Sequence, residues 1–273
     1  MRVSTLHNGH SVLDHAALLG GWRNTDPAAG GVRRLVLSDG GGDLRLRVLG
    51  AGRRQPYDWG EIEARAYAAT PNLPAAWAFT AVHDTELRGL RLAAYTRGGL
   101  LVVTTYQAFS GPGWPAPYWT REFFHRDGPA APMAVEPAGR YGDPRPTSAP
   151  LGPWQLDPSA LDGLWRNVDA AATRLARVRI RERDGYLAVR PYGVWAPRRH
   201  DWHETVGSAY AGDMRSAVAI AFTAFFELAA GRVEMVGYLD RRLLTIETAS
   251  TFGDGGHRYP CYVREHFYRA EGR

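Results

Sequence analysis

Lysine is absent from this 273-residue chain, in which all 33 basic residues are arginine. Without a lysine amine the chain cannot form a Schiff base, anchor pyridoxal phosphate or build the phosphate loop of nucleotide-binding proteins. Exclusive use of arginine also reflects the codon usage of a GC-rich genome. The formal net charge of +5 is therefore weak evidence for nucleic-acid binding.

Cysteine, long apolar runs and cofactor motifs are also scarce or missing. Cys261 is the single cysteine, which excludes an intrachain disulfide and a cysteine-rich metal site. No apolar run approaches the roughly 18 residues of a membrane span, and no basic-then-hydrophobic leader opens the chain. We therefore expect a cytoplasmic protein that contacts no membrane and uses neither a metal nor a cofactor.

The sequence contains the same unit twice, at an offset of 143 residues. Gly-Gly-Trp-Arg-Asn-Thr-Asp at 20–26 returns as Gly-Leu-Trp-Arg-Asn-Val-Asp at 163–169. Matches continue in one register without net insertion, which indicates a duplication. They include Asp-Trp at 58–59 and 201–202, Ala-Phe-Thr-Ala at 78–81 and 221–224, and Arg-Glu at 121–122 and 264–265.

The repeat predicts a division of the chain into three parts. Residues 1–126 form a first domain with a repeat core at 20–126, and residues 163–273 form a second with a core at 163–269. Residues 127–162 are rich in proline and glycine and are typical of an extended linker.

Within each copy the pattern favours β-structure. Leu44, Leu46 and Val48 alternate with Arg45 and Arg47, which is typical of half-buried antiparallel strands. We predict an all-β fold of two tandem antiparallel β-barrels with seven or eight strands each, because closure removes exposed sheet edges. Short helical segments are expected only at 10–19 and 157–163.

A helical turn, then Gly-x-Trp on the first strand, then many hairpins and an arginine on the last strand resembles the calycin superfamily. That superfamily contains lipocalins, fatty-acid-binding proteins and avidins. The resemblance implies that a tryptophan and an arginine close the base of each barrel. These pairs are Trp22 with Arg126, and Trp165 with Arg269.

The asparagine two residues after that tryptophan, Asn24 or Asn167, matches the Gly-x-Trp-x-Asn opening of avidins. There the asparagine points into the cup and contacts the ligand, so the resemblance implies a ligand-binding role for both residues. The rest of the avidin pattern is missing, and biotin binding is not implied.

Glu122 and Glu265 are candidate catalytic residues, because each lies four positions before the last arginine of its copy and therefore on the same strand face. If that face points inward, burial raises the pKa of the carboxyl toward acid–base use. The alternative is a buried ion pair with an arginine across the barrel.

Two further groups are candidates. Asp58 with Trp59, and Asp201 with Trp202, are predicted to contact a ligand; alternatively each aspartate caps a turn and each tryptophan packs beneath it. His203 replaces Gly60 in the second copy and is a candidate general acid or base near neutral pH. A solvated histidine is the alternative.

The nine tryptophans either line a cup that suits a planar apolar ligand or fill a solid barrel. We predict binding or carriage of a small hydrophobic or aromatic molecule, such as a natural product. A cofactor-independent cyclase or isomerase is the alternative. Nucleic-acid binding is less supported, since acidic residues interrupt the arginine stripes, and homodimerisation stays open.

Overall fold

The computed structural model describes residues 13–51, 57–84, 88–109, 115–128, 155–172, 174–183, 186–195, 198–253 and 258–270. These residues form 17 β-strands and no α-helix, so the all-β prediction is confirmed. Nowhere in that part of the chain is there a helix with the length and hydropathy that a membrane crossing requires.

Eight antiparallel strands of the first repeat form a closed ring of hydrogen-bonded ladders. They are β1 (Gly20–Asn24), β2 (Val32–Asp39), β3 (Leu44–Gly50), β4 (Tyr57–Ala68), β5 (Ala76–Asp84), β6 (Arg88–Arg97), β7 (Leu100–Phe109) and β8 (Tyr118–Arg126). Each strand pairs with the next in sequence. The ring closes where β8 pairs with β1 and Arg126 lies opposite Trp22.

The second repeat builds the same ring from nine strands. They are β9 (Gly163–Asn167), β10 (Leu175–Arg183), β11 (Tyr186–Trp195), β12 (Arg198–Asp201), β13 (Thr205–Ala211), β14 (Ala219–Leu228), β15 (Gly231–Asp240), β16 (Leu243–Phe252) and β17 (Cys261–Arg269). The extra strand arises because β12 and β13 both pair with β11 and together correspond to β4. β17 pairs back with β9, which makes the arrangement barrel-like.

The inside of each ring is filled by the apolar residues of the alternating pattern. Leu46 and Val48 are fully buried, whereas Arg47 between them is exposed. Burial of each such side chain contributes roughly 1.5–3 kcal/mol. The two cores include Leu35, Leu92, Val103 and Phe124 in the first repeat, and Val178, Phe222, Ile246 and Phe267 in the second.

Two parallel bridges join the rings into one 17-stranded sheet. Ala68 pairs with Cys261, and Ala211 pairs with Tyr118. Each bridge is the image of the other under the 143-residue offset, because Ala211 corresponds to Ala68 and Cys261 to Tyr118. Such reciprocal contacts are those of an isologous interface, so the repeats pack about an approximate twofold axis.

A third buried cluster lies between the repeats, and we call it the inter-repeat layer. Trp119 stacks on Tyr238 with ring centroids 4.6 Å apart, and Tyr106 meets Tyr210 edge-on at 5.2 Å. Aromatic pairs of this kind add about 0.5–1.5 kcal/mol beyond their buried area. The aromatic members of the layer are Tyr67, Trp77, Tyr95, Tyr106, Trp119, Tyr210, Tyr238 and Tyr262.

The two predicted helical segments are wrong in their described residues, which form single turns. Leu18 N donates to the His15 carbonyl, and Leu161 N donates to the Pro158 carbonyl, and the chain then enters the first strand of its repeat. A single turn forms too few hydrogen bonds to offset the entropy that is lost when a helix nucleates. Most of the predicted linker, residues 129–154, lies outside the described residues.

Candidate functional site

Each predicted tryptophan–arginine pair is in contact at one end of its ring. The Arg126 guanidinium carbon lies 4.5 Å from the Trp22 ring centroid, and that of Arg269 lies 4.8 Å from Trp165. Each indole N–H donates to a turn carbonyl at 2.9 Å. The arginines donate to the carbonyls of Ala17 and Ala160 in those turns. Each pair therefore ties the turn before the repeat to its last strand.

Asn24 and Glu122 form a hydrogen-bonded clasp inside the first ring. Asn24 Nδ2 donates to the Val32 carbonyl at 2.8 Å and to Glu122 Oε1 at 3.0 Å. Asn24 Oδ1 accepts from the Asp26 N–H at 2.9 Å. These bonds hold the β1–β2 connection against β8.

The second ring repeats this clasp with Asn167 and Glu265. Asn167 Nδ2 donates to the Leu175 carbonyl at 2.8 Å and to Glu265 Oε1 at 2.9 Å. Burial raises the pKa of both Glu122 and Glu265, against the opposing effect of these hydrogen bonds. In place of the alternative arginine ion pair, each carboxyl is bonded to an asparagine, although the charge of Arg174 also acts on Glu265.

A cleft of about 800 Å³ opens at the edge of β17 in the second repeat, and we call it the β17 cleft. It lies where β17 extends beyond its pairing with β9, and the β4–β5 connection of the first repeat forms one wall. Its lining residues are Ala69, Thr70, Pro71, Asn167, Val168, Asp169, Ala171, Ala172, Arg174, Phe252, Cys261, Val263, Arg264, Glu265 and His266.

Two substitutions between the repeats distinguish the β17 cleft from the matching region of the first repeat. Tyr118, which stacks on Phe109 at 5.9 Å, is replaced by the small Cys261, whose neighbour Phe252 matches Phe109. Gly31 is replaced by Arg174. A large aromatic ring is thereby exchanged for a small side chain beside a cation, and the Phe252 ring is covered by the Arg258 guanidinium, whose carbon lies 4.1 Å from the ring centroid.

Arg174 is held in this cleft by two neutral groups. Its Nη1 lies 3.0 Å from Cys261 Sγ, and its Nη2 donates to Ser250 Oγ at 2.7 Å. Among the described residues no carboxylate forms an ion pair with it. The guanidinium is thus positioned by the protein while its charge faces the cleft.

Asn167 and Glu265 are the predicted site residues that the β17 cleft contains. His203 is exposed and occupies a corner between β12 and β13 with φ of 71°, where Gly60 has φ of 92° in the first repeat. Its N–H donates to Asp201 Oδ1 at 3.0 Å. The position of His203 in this corner explains its backbone conformation and its hydrogen bond without a ligand.

The aspartate–tryptophan pairs also lie away from the cleft. Asp58 is bound by Arg47 and accepts the Gly60 N–H at 2.9 Å. Trp59 packs so closely on Gly50 that a Cβ there would lie 2.4 Å from its indole nitrogen. Trp202 packs edge-on to Phe226 at 5.8 Å. The capping and packing alternative describes these contacts.

We expect Asp58→Asn to lower the free energy of unfolding by about 1–3 kcal/mol, because it removes a charged hydrogen bond from a nearly buried site. The Arg47 guanidinium lowers the pKa of Asp58. The Asp58 contribution is therefore complete above its unfolded pKa of 3.8 and is lost as the pH falls through the lower folded value.

Urea unfolding between pH 2 and pH 7 measures this contribution. Asp201→Asn is the matched control, because the side chain of Asp201 is 35% exposed against 9% for Asp58. Equal losses for the two variants would contradict the assignment.

Sequence reasoning missed Arg174, Cys261, Val263 and Phe252 as residues of one cleft. The signal was present in the self-comparison, where Gly31 becomes Arg174 and Tyr118 becomes Cys261.

Comparison of the chain with models of known protein families and with curated proteins finds no match.

Proposed function

We propose that the two rings are tandem calycin-type barrels and that the second binds a small apolar or aromatic molecule in the β17 cleft. The observation that carries this proposal is the cleft itself, whose volume of about 800 Å³ falls within the range of ligand pockets.

The composition of the cleft supports a ligand of this class. Val168, Phe252 and Val263 give it apolar walls, and Asn167 and Arg174 supply polar groups that fix orientation. Small-molecule sites combine these two elements. The apolar residues that fill the core of the second repeat support a ligand position at the mouth of the ring rather than deep inside it.

Binding is favoured over the cyclase or isomerase alternative. Glu122 and Glu265 make the same hydrogen bonds in both repeats, and only Glu265 lines the β17 cleft. A hydrogen bond between asparagine and glutamate that occurs in both repeats is explained by a structural role, because it holds the connection between the first two strands of each repeat. Arg174 and Cys261 are the residues that differ between the repeats. Arg174 contributes to recognition of the ligand, and the small Cys261 leaves room for it.

The proposal is tested by giving the second repeat the residues of the first. We expect the double variant Arg174→Gly and Cys261→Tyr to bind the apolar fluorophore N-phenyl-1-naphthylamine at least about tenfold more weakly, because the tyrosine ring fills the cleft beside Phe252. Fluorescence titration of the full chain measures the affinity.

Tyr118→Phe is the control, because it alters the equivalent position of the first repeat, keeps the aromatic ring there and leaves the β17 cleft intact. Its affinity should match that of the unaltered chain. Circular dichroism verifies that each variant is folded. Undiminished binding by a folded double variant would refute the proposed site.

A further inference from the structure

Arg174 lines the β17 cleft and forms no ion pair with a carboxylate among the described residues, although its charge also acts on Glu265. Its two acceptors, Cys261 Sγ and Ser250 Oγ, are neutral and fix the plane of the guanidinium. An arginine held in this way has already lost much of its side-chain entropy, so a planar anion can bind it at a reduced cost.

The other charged groups that line the cleft have partners within the fold. Arg264 donates to Tyr238 Oη and lies 3.4 Å from Glu247. Asp169 accepts the Ala171 N–H, and Glu265 is bonded to Asn167. The imidazole of His266 is bonded to Thr245 and Arg264. Arg264 is thus paired with a carboxylate of the fold, whereas the Arg174 guanidinium is held by neutral groups and can pair with an anion of the ligand.

The first repeat shows that the fold does not need this arginine. Gly31 occupies the equivalent position, and Asn24 and Glu122 keep their hydrogen bonds there without any guanidinium. A Cβ at Gly31 would lie 3.5 Å from Glu122, at ordinary contact distance, so space does not demand glycine. The arginine is therefore a feature of the second cleft and not of the barrel.

We infer that Arg174 recognises an anionic group, of the carboxylate or sulfonate type, on the apolar ligand of the β17 cleft. This inference rests on the proposed binding function and specifies its ligand class. The anion bonds to the guanidinium while the apolar body lies against Val168, Phe252 and Val263.

The experiment compares two fluorophores with the same ring system. One is 8-anilinonaphthalene-1-sulfonate, and the other is N-phenyl-1-naphthylamine, which lacks the sulfonate. We expect Arg174→Met to weaken sulfonate binding by about tenfold or more and to change binding of the neutral fluorophore by less than about twofold. Arg174→Lys keeps the charge and should retain most of the sulfonate affinity.

A second measurement needs no variant. We expect 1-naphthoate to displace the bound sulfonate at concentrations about tenfold lower than 1-naphthylmethanol does, because only the carboxylate can pair with Arg174. This comparison decides the question even if Arg174→Met does not fold.

The outcomes separate the two proposals. Equal effects of Arg174→Met on both fluorophores, or equal displacement by acid and alcohol, would overturn anion recognition and leave apolar binding standing. Failure of the unaltered chain to bind either fluorophore would overturn both proposals.

Discussion

Replacing Trp22 or Trp165 by alanine is expected to lower the free energy of unfolding by about 3–5 kcal/mol. Each side chain is 2% exposed, packs in the core of its ring and loses its stacked arginine together with the hydrogen bond to its turn. A core cavity of indole size cannot collapse in a closed ring of ladders. Urea unfolding followed by far-ultraviolet circular dichroism measures the loss.

Trp202→Ala is the matched control for this experiment. Trp202 is partly buried at the periphery of the second core and makes an edge contact with Phe226. Its removal should cost clearly less than that of Trp165. A loss below about 1 kcal/mol for both Trp22→Ala and Trp165→Ala would be inconsistent with these tryptophans sealing the rings.

Glu247→Ala should destabilise the chain by about 3–5 kcal/mol, because it strips a buried charged network of one partner. Glu247 is fully buried next to the inter-repeat layer, where Tyr238 and Tyr262 donate to it and Arg264 lies 3.4 Å away. Its removal leaves two hydroxyls without their acceptor and the Arg264 guanidinium without its carboxylate counter-charge. The expected loss is read from urea unfolding at neutral pH.

Two variants calibrate the effect of Glu247→Ala. Glu247→Gln keeps one acceptor oxygen and should cost less. Glu227→Ala removes a carboxylate of the same kind from an ion pair with Arg232, but that glutamate side chain is 74% exposed, and the expected loss is below about 1 kcal/mol. Similar losses for Glu247→Ala and Glu227→Ala would mean that the buried network contributes no more than a surface pair.

Most strands were predictable because two features of the sequence agree, the alternation of apolar and charged residues and the internal repeat. The alternation around Leu44, Leu46 and Val48 marks β3, and the repeat applies each such signal twice. The start of β4 is harder to predict, because Asp58 and Trp59 also fit a cap that follows a turn. They lie in the strand, and the corner comes at Gly60, whose positive φ bends it. Asp58 does accept the backbone N–H at that corner.

The inter-repeat layer could not be predicted from alternation. A strand with apolar side chains on both faces indicates burial on both faces, but not which partner covers the outer one. Tyr95 and Tyr238 are buried because the other repeat covers them, and that depends on the approximate twofold packing. The β17 cleft escaped prediction for the same reason, since Ala69 and Pro71 of the first repeat complete its wall.

Arg91 and Glu234 are separated by 143 residues, which is the repeat offset, and they form an ion pair of 2.9 Å. Both residues descend from the same position of the duplicated unit. In the present chain the two copies of that position face each other near the approximate twofold axis. Two identical subunits would oppose arginine to arginine or glutamate to glutamate there, and like charges so close repel. Two copies joined in one chain can mutate separately, so the facing positions can take opposite charges. Covalent fusion therefore gave this protein an attraction that a symmetric dimer of two identical halves cannot have.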